Sequence, residues 1–161
     1  RQNQPVKKNH AINDIVAACI SLTQKQAAFK DVSVHHDLAD GLPQTLVDKR
    51  QIEQALINLI INAVEATPAG GRIDVATRLA DWKGFIDISV SDTGEGIPEE
   101  RIDKIFDPFF TTKENGTGLG LAIIHGIIEQ HGGVVTVQSD PGQGTTFVIT
   151  IPIENPQNHD Q

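Results

Sequence analysis

The chain has 161 residues, 39% hydrophobic and 21% charged, with 13 Lys and Arg against 21 Asp and Glu and a formal net charge of −8. That size suits one globular domain and makes two independent cores a tight fit; the longest apolar runs fall well short of the ~20 residues of a membrane span, and an acidic balance without a basic stripe argues against nucleic acid as a partner. Cys19 is the only cysteine, which excludes an intrachain disulfide and favours a reducing compartment.

Residues 1–9 (RQNQPVKKN) and 154–161 (ENPQNHDQ) are polar and contain proline. They read as a linker and a disordered tail around a domain at 10–153, with no chemistry expected of either. No basic segment leads into an apolar core and cleavage site, so a secretory signal is not expected. From Ala11 to about Ala28, Ile12, Ile15, Val16, Cys19 and Leu22 recur at helical spacing, with Asn9 as a candidate cap. Residues 32–36 (VSVHH) read as a strand and 37–47, holding Gly41 and Pro43, as a loop. A second helix begins at Asp48, whose carboxylate forms an approximate capping box with Gln51, and runs to about Ala66 before TPAGG. The alternating stretches 72–79 and 85–91 bracket DWKG and predict a hairpin with Ile86, Ile88 and Val90 on its buried face. A short helix with Pro98 in its first turn follows, then a helix from about Thr117 to Gln130, then strands 133–139 and 145–151 joined by SDPGQG. A sheet on one side and helices on the other make a two-layer α+β sandwich.

Three constellations can carry chemistry. Asn58, Asn62 and Glu65 follow i, i+4, i+7 spacing, so they share one edge of an otherwise apolar helix. The edge is either a solvent-facing stripe or a ligand-facing one, with an amide oxygen available to a hard cation such as Mg²⁺. Asp92-Thr-Gly94-Glu-Gly96-Ile97-Pro98 follows the second hairpin strand. Asp92 keeps the parity of Ile86, Ile88 and Val90, so its carboxylate turns inward if the strand extends that far. It is either a turn aspartate or an acceptor for a ligand N–H, followed by glycines that let backbone approach. Last come Phe106-Asp-Pro-Phe-Phe, Thr111-Thr112-Lys113-Glu-Asn and GTGLGL at 116–121. The glycine pattern is not the dinucleotide fingerprint and there is no GxxxxGK[ST]. Placed before a helix, however, it exposes N–H groups at the positive end of the helix dipole, with Lys113 three residues upstream. The net charge does not forbid an anion, because exposed charges farther than about 8 Å are largely screened while these groups act at contact.

In this order and at these separations, Asn58…Asn62-Ala-Val-Glu-Ala, Asp92-Thr-Gly-Glu-Gly, Phe106-Asp-Pro-Phe-Phe and Gly116-Thr-Gly-Leu-Gly resemble the N, first glycine, F and second glycine boxes of the histidine kinase catalytic and ATP-binding domain. The resemblance covers roughly residues 10–153. The wording DPFFTTK followed by GTGLGLAI resembles the nitrogen-regulation type of sensor kinase, with a short ATP lid. It implies a Bergerat ATP-binding fold: a mixed, mostly antiparallel sheet backed by three helices. It also implies ATP and Mg²⁺ as cofactors, with Asn62 on the metal, Asn58 near the phosphates and Asp92 accepting the adenine amino hydrogen. Gly94 and Gly96 pass the base, Gly116, Gly118 and Gly120 shape the lid, and Lys113 contacts phosphate where many members carry an arginine just after the F box, a place taken here by Thr111. Thr145 or Thr146 reaches adenine through water. Glu65, Ile97, Phe106, Thr112, Thr117, Leu119 and Leu121 complete the implied nucleotide-contacting set, and Asn58 and Lys113 are the implied catalytic pair.

The family phosphorylates a histidine in a box absent from this chain. His36-Asp37-Leu38 imitates its start without the arginine or asparagine and proline that follow, and a surface role is expected; His125 and His131 are expected to pack or to cap a helix C-terminus. The implied partners are a dimerisation and phosphotransfer hairpin of the same parent kinase and, indirectly, a response regulator, in the cytoplasm, with no direct membrane contact by this segment and an anchor elsewhere in the parent left open. Two rival enzyme classes and one non-enzyme module stand beside this reading. ATPases of the gyrase, heat-shock chaperone and mismatch-repair type need a water-activating glutamate four residues before the metal asparagine, where this chain has Asn58, a poor general base; a degenerate docking module would not need four intact boxes. Anti-sigma-factor serine kinases are disfavoured by the F box and the immediate GTGLGL.

Overall fold

The computed structural model describes residues 4–107 and 120–154. In chain order the elements are β1 (Lys8–His10), α1 (Ile12–Phe29), β2 (Ser33–Leu38), β3 (Thr45–Val47), α2 (Lys49–Ala66), β4 (Arg72–Leu79), β5 (Phe85–Asp92), α3 (Glu99–Ile102), α4 (Gly120–Gln130), β6 (Val134–Asp140) and β7 (Gly144–Pro152). The main sheet has five strands in the order β2-β4-β5-β7-β6. Only β2 and β4 run parallel, their connection made by β3 and α2; the remaining neighbours are antiparallel. This is the α+β sandwich expected of the sequence.

Period-two alternation decides which sheet face is covered. Ile86, Ile88 and Val90 of β5, Ile73 and Val75 of β4 and Phe147, Ile149 and Ile151 of β7 are all buried on one face. The apolar stripes of α1, α2 and α4 close over that face in one continuous core, with α2 in the middle touching both other helices. Burying a full aliphatic side chain contributes roughly 1.5–3 kcal/mol, so this layer supplies most of the driving force for folding. Among the described residues no helix is long and apolar enough to cross a membrane.

Four local expectations need correction. Residues 8 and 9, read as linker, belong to β1, and the stretch 37–47, read as loop, ends in β3; the two pair antiparallel as Lys8 with Val47 and His10 with Thr45. Each is a three-residue strand whose partner lies far away in sequence, so neither shows a local alternation long enough to read. Asn9 does not cap α1: the N-cap is Ala11, with no side-chain hydrogen bond. Leu22 is 66% exposed, because the buried stripe of α1 passes through Ile20, Thr23 and Ala27 and leaves it to one side.

The N-terminus of α2 is built as a joint. Asp48 is its N-cap, with Oδ1 accepting from the Gln51 N–H at 3.2 Å and Oδ2 from the Val6 N–H at 2.8 Å. The Asp48 N–H donates to Nε2 of His131 at 3.1 Å, so it is His131 that takes the N–H which a capping box would give to the Gln51 side chain. Since Nε2 accepts, the proton sits on Nδ1, which donates to the Ile127 carbonyl at 2.8 Å and caps the C-terminus of α4. Burial pushes the His131 pKa down and keeps the ring neutral. His131 is therefore structural, and His36 lies exposed on β2, both as expected.

Candidate functional site

Strand β5 ends on Asp92, one residue beyond the predicted strand, and this extension turns its carboxylate inward. Register places Ile73, Asp92, Thr145 and Ser139 side by side on β4, β5, β7 and β6, forming one rung on the helix-covered face. Oδ1 of Asp92 accepts from the Gly94 N–H at 2.8 Å and the Thr145 N–H at 3.3 Å. The described residues give Oδ2 no donor. Burial raises the Asp92 pKa, and the two N–H donors oppose it without cancelling it. A half-buried carboxylate with one oxygen held and one uncommitted is an acceptor site for a ligand N–H.

The loop after Asp92 is shaped by contacts that only glycine allows. A Cβ on Gly94 would run into the carbonyl of Ala66, the last residue of α2, so the loop lies directly against the end of that helix. Gly96 has φ +78° and packs against the backbone of Asp140 and Pro141. The Gly142 N–H donates to the Glu95 carbonyl at 2.7 Å and the Ile97 N–H to Ser139 Oγ at 2.6 Å, stapling the loop to the β6–β7 turn. Ile97 is half-buried against the core.

Asn58 and Asn62 lie half-buried on the edge of α2 nearest α4. A Cβ built on Gly120 would stand 3.7 Å from Nδ2 of Asn62, so the structure brings the amide and the first residue of α4 together. Leu121 packs against the core one residue on. Glu65 is placed differently: it is exposed and lines a 470 Å³ groove on the α1 side, with Lys25, Phe29, Lys30, Ile61 and Val64. There the Lys30 Nζ donates to the carbonyls of Val64 and Glu65 at 2.9 and 2.6 Å, capping the end of α2. Phe106 packs edge-on against Phe147, ring centroids 6.3 Å apart, and tilted against His125 at 5.4 Å, which anchors its segment to both layers. Thr146 falls on the opposite sheet face from Asp92, where its hydroxyl is 2.7 Å from that of Ser91. Thr111, Thr112, Lys113, Gly116, Thr117, Gly118 and Leu119 lie outside the described residues.

Sequence reasoning missed two contributors. Gly144 has φ +129° and a Cβ there would collide with the Asp92 carbonyl, so it sets how closely β7 approaches the site. Ser139 joins the Asp92 rung through Thr145. The parity of Val135, Val137 and Ser139 carried a signal for it, hidden by the turn-like SDPGQG that follows.

Residues 47–155 match the family model of histidine kinase-, DNA gyrase B-, and HSP90-like ATPases. Sensor histidine kinase ZraS of Escherichia coli K12 is 37% identical over 142 residues, which are 88% of this chain but 30% of that protein, so the chain spans about a third of the curated relative. The nucleotide-free catalytic domain of histidine kinase ThkA superposes with TM-score 0.82 at 33% identity, covering 91% of this chain and 95% of that one. Full-length ShkA in complex with AMPPNP gives TM-score 0.87 at 29% identity, over 96% of this chain and 33% of that chain. With this sandwich and these matches, the chain belongs to the histidine kinase-, gyrase B- and HSP90-like ATPase family, as a catalytic ATP-binding domain of the sensor histidine kinase type.

Proposed function

We propose that this domain binds Mg·ATP between the α2 edge, the loop after Asp92 and the 116–120 glycines, and presents the γ-phosphate to a histidine on a dimerisation hairpin of the parent kinase. The observation that carries the reading is the Asp92–Thr145 rung lying beside the end of α2, with Asn62 facing Gly120. The uncommitted Asp92 oxygen accepts an adenine amino hydrogen, and Gly94 and Gly96 let the backbone run past the base. The donor set fits the metal, since Mg²⁺ keeps several waters and takes most of its ligands from phosphates, so the amide oxygen of Asn62 is a sufficient protein ligand. When bound, Mg²⁺ neutralises charge on the β- and γ-phosphates. Asn58 borders the phosphates from the same helix edge, and Lys113 adds a point charge to the phosphate contacts.

Positioning and charge stabilisation are the main protein contributions to phosphoryl transfer, and this chain's residues provide both. The α2 edge offers amides where a hydrolase needs a carboxylate base, so water is not activated there and the acceptor comes from elsewhere. That acceptor is the hairpin histidine, and a response regulator receives the phosphoryl group afterwards. The adjacency of DPFFTTK and GTGLGLAI supports a short lid of the nitrogen-regulation type.

The test mixes the protein with a cognate hairpin and γ-labelled ATP and looks for acid-labile, alkali-stable phosphoprotein. Steady phosphate release by this protein alone, with no label on the hairpin, overturns the kinase reading. Calorimetry tests the assignments: Asn62→Asp spoils Mg·ATP binding while His36→Ala leaves it unchanged, and full-strength binding by Asn62→Asp removes the metal assignment.

A further inference from the structure

The Asp92 rung continues one strand further than the adenine reading uses. Ser139 on β6 is the register partner of Thr145, which is itself the partner of Asp92. Its hydroxyl lies 2.6 Å from the Ile97 nitrogen, 2.8 Å from Thr145 Oγ1 and 3.1 Å from the Gly144 carbonyl. A serine hydroxyl has one proton and two lone pairs. The Gly144 carbonyl can only accept, so it takes the Ser139 proton. The Ile97 N–H can only donate, so it takes one lone pair. The remaining lone pair must receive the Thr145 proton, which fixes the direction of that bond: Thr145 O–H donates to Ser139.

The consequence falls on the ligand side. With its proton committed to Ser139, Thr145 Oγ1 has only lone pairs left to offer. On the same rung Asp92 keeps an uncommitted oxygen, also an acceptor. We propose that Ser139 is a positioning and specificity-determining residue that orients the Thr145 hydroxyl so the base pocket presents acceptors alone, selecting a 6-aminopurine nucleotide over a 6-oxopurine one. An exocyclic amino group supplies two N–H donors to such a pocket, directly or through one water. A 6-oxopurine sets its O6 lone pairs against these acceptors and keeps only its N1–H as a donor on that edge, and an unpaired polar group such as that O6 discriminates strongly. Through Ile97, Ser139 also holds the loop that carries Gly94 and Gly96.

The inference rests on the adenine reading above, and the experiment separates the two. Titration calorimetry compares ATP with ITP, which carries a 6-oxo group and an N1–H where adenine has an amino group and a bare N1, on the wild type, Asp92→Asn, Ser139→Ala and Ser139→Thr, with circular dichroism as the folding control. The wild type prefers ATP, and Asp92→Asn removes the preference. Ser139→Ala frees the Thr145 proton to rotate toward the base and lowers the ATP-to-ITP affinity ratio by about 3- to 10-fold, the span of one hydrogen bond; Ser139→Thr, which keeps the hydroxyl on a strand, restores it. Equal weakening of both nucleotides by a folded Ser139→Ala, or an unrestored ratio in Ser139→Thr, overturns the role of Ser139 and leaves the adenine reading standing. A wild type without preference, or Asp92→Asn with undiminished ATP binding, overturns the adenine reading itself. If Ser139→Ala does not fold, Ser139→Cys takes its place, with the same fall in ratio expected and an unchanged ratio counting against the proposal.

Discussion

Asp48 and Asp92 are both half-buried, both stand at the end of a secondary-structure element and both accept backbone N–H groups, yet their acidities move in opposite directions. At Asp48 burial opposes ionisation, but N–H groups of Val6, Gln51 and Arg50 together outweigh it and hold the carboxyl below its usual range. At Asp92 burial is the larger effect and two N–H groups do not offset it, so the carboxyl is raised. The difference teaches what separates a joint from a site. Around Asp48 the chain supplies donors to both carboxylate oxygens, and its own N–H is satisfied by His131. Around Asp92 the described residues supply donors to one oxygen and none to the other, which is what the proposed role as an acceptor for a ligand N–H requires.

The sharpest way to break this comparison is Asp92→Asn. An amide in that place keeps an acceptor for the Gly94 N–H but loses the charged acceptor for the ligand, so calorimetry should show ATP affinity falling by about 10- to 100-fold, in line with ~1.5–3 kcal/mol for a hydrogen bond to a charged group. Stability should move the other way. A carboxyl whose folded pKa lies above its unfolded value of 3.8 loses stability for the protein as pH rises through that window. The melting temperature of the variant at pH 7 should therefore equal or exceed that of the wild type, and a clear decrease would mean that Asp92 is a joint like Asp48.

Asp48→Ala should show the reverse pattern. It removes a cap and the anchor of Val6 without touching the nucleotide, so denaturant unfolding should report a loss of about 1–2 kcal/mol. Asp48 has a lowered folded pKa, so its contribution is present above the unfolded value of 3.8 and disappears as pH falls through the folded one. The gap between variant and wild type should close in acid; a gap that persists there would show that packing, not the carboxylate, holds the joint.

The smallest effect is expected of His131→Gln. The glutamine amide can accept from Asp48 and donate to Ile127, so stability at pH 8 should change by no more than about 1 kcal/mol. The wild type, with a neutral buried imidazole of lowered pKa, should lose stability as pH falls below 6.5, because the unfolded state binds the proton first. The variant should be flat across that window, and a parallel slope in both proteins would assign the pH dependence to another group.

Legibility differed by element. The helix at 49–66 and the hairpin at 72–92 could be read almost to the residue, because each carries its own period, cap and turn within one contiguous stretch. The inward turn of Asp92 followed from the same period-two count. Strands β1 and β3 could not be read, since each is three residues long and exists only through the other. Of Thr145 and Thr146 the sequence could not choose, because adjacent positions on a strand differ only in face, and register with Asp92 settles which one shares it. Grouping Glu65 with Asn58 and Asn62 was correct by helical angle but blind to Lys30, which comes from α1 and caps the helix at that corner.

What the sequence by itself determined is what depends on neighbours within a few bonds: the amphipathic helices, the alternating strands, the glycines after Asp92 and the family to which four ordered boxes belong. What only the tertiary structure decided is how groups more than about thirty residues apart share hydrogen bonds. His131 serves the N-cap of α2 across 83 positions, the Ile97 N–H reaches Ser139 across 42, and the Thr145 N–H meets Asp92 across 53. Polarity at such a site depends on who donates to whom, a hydroxyl has one proton to give, and its direction is set only when every partner is in place.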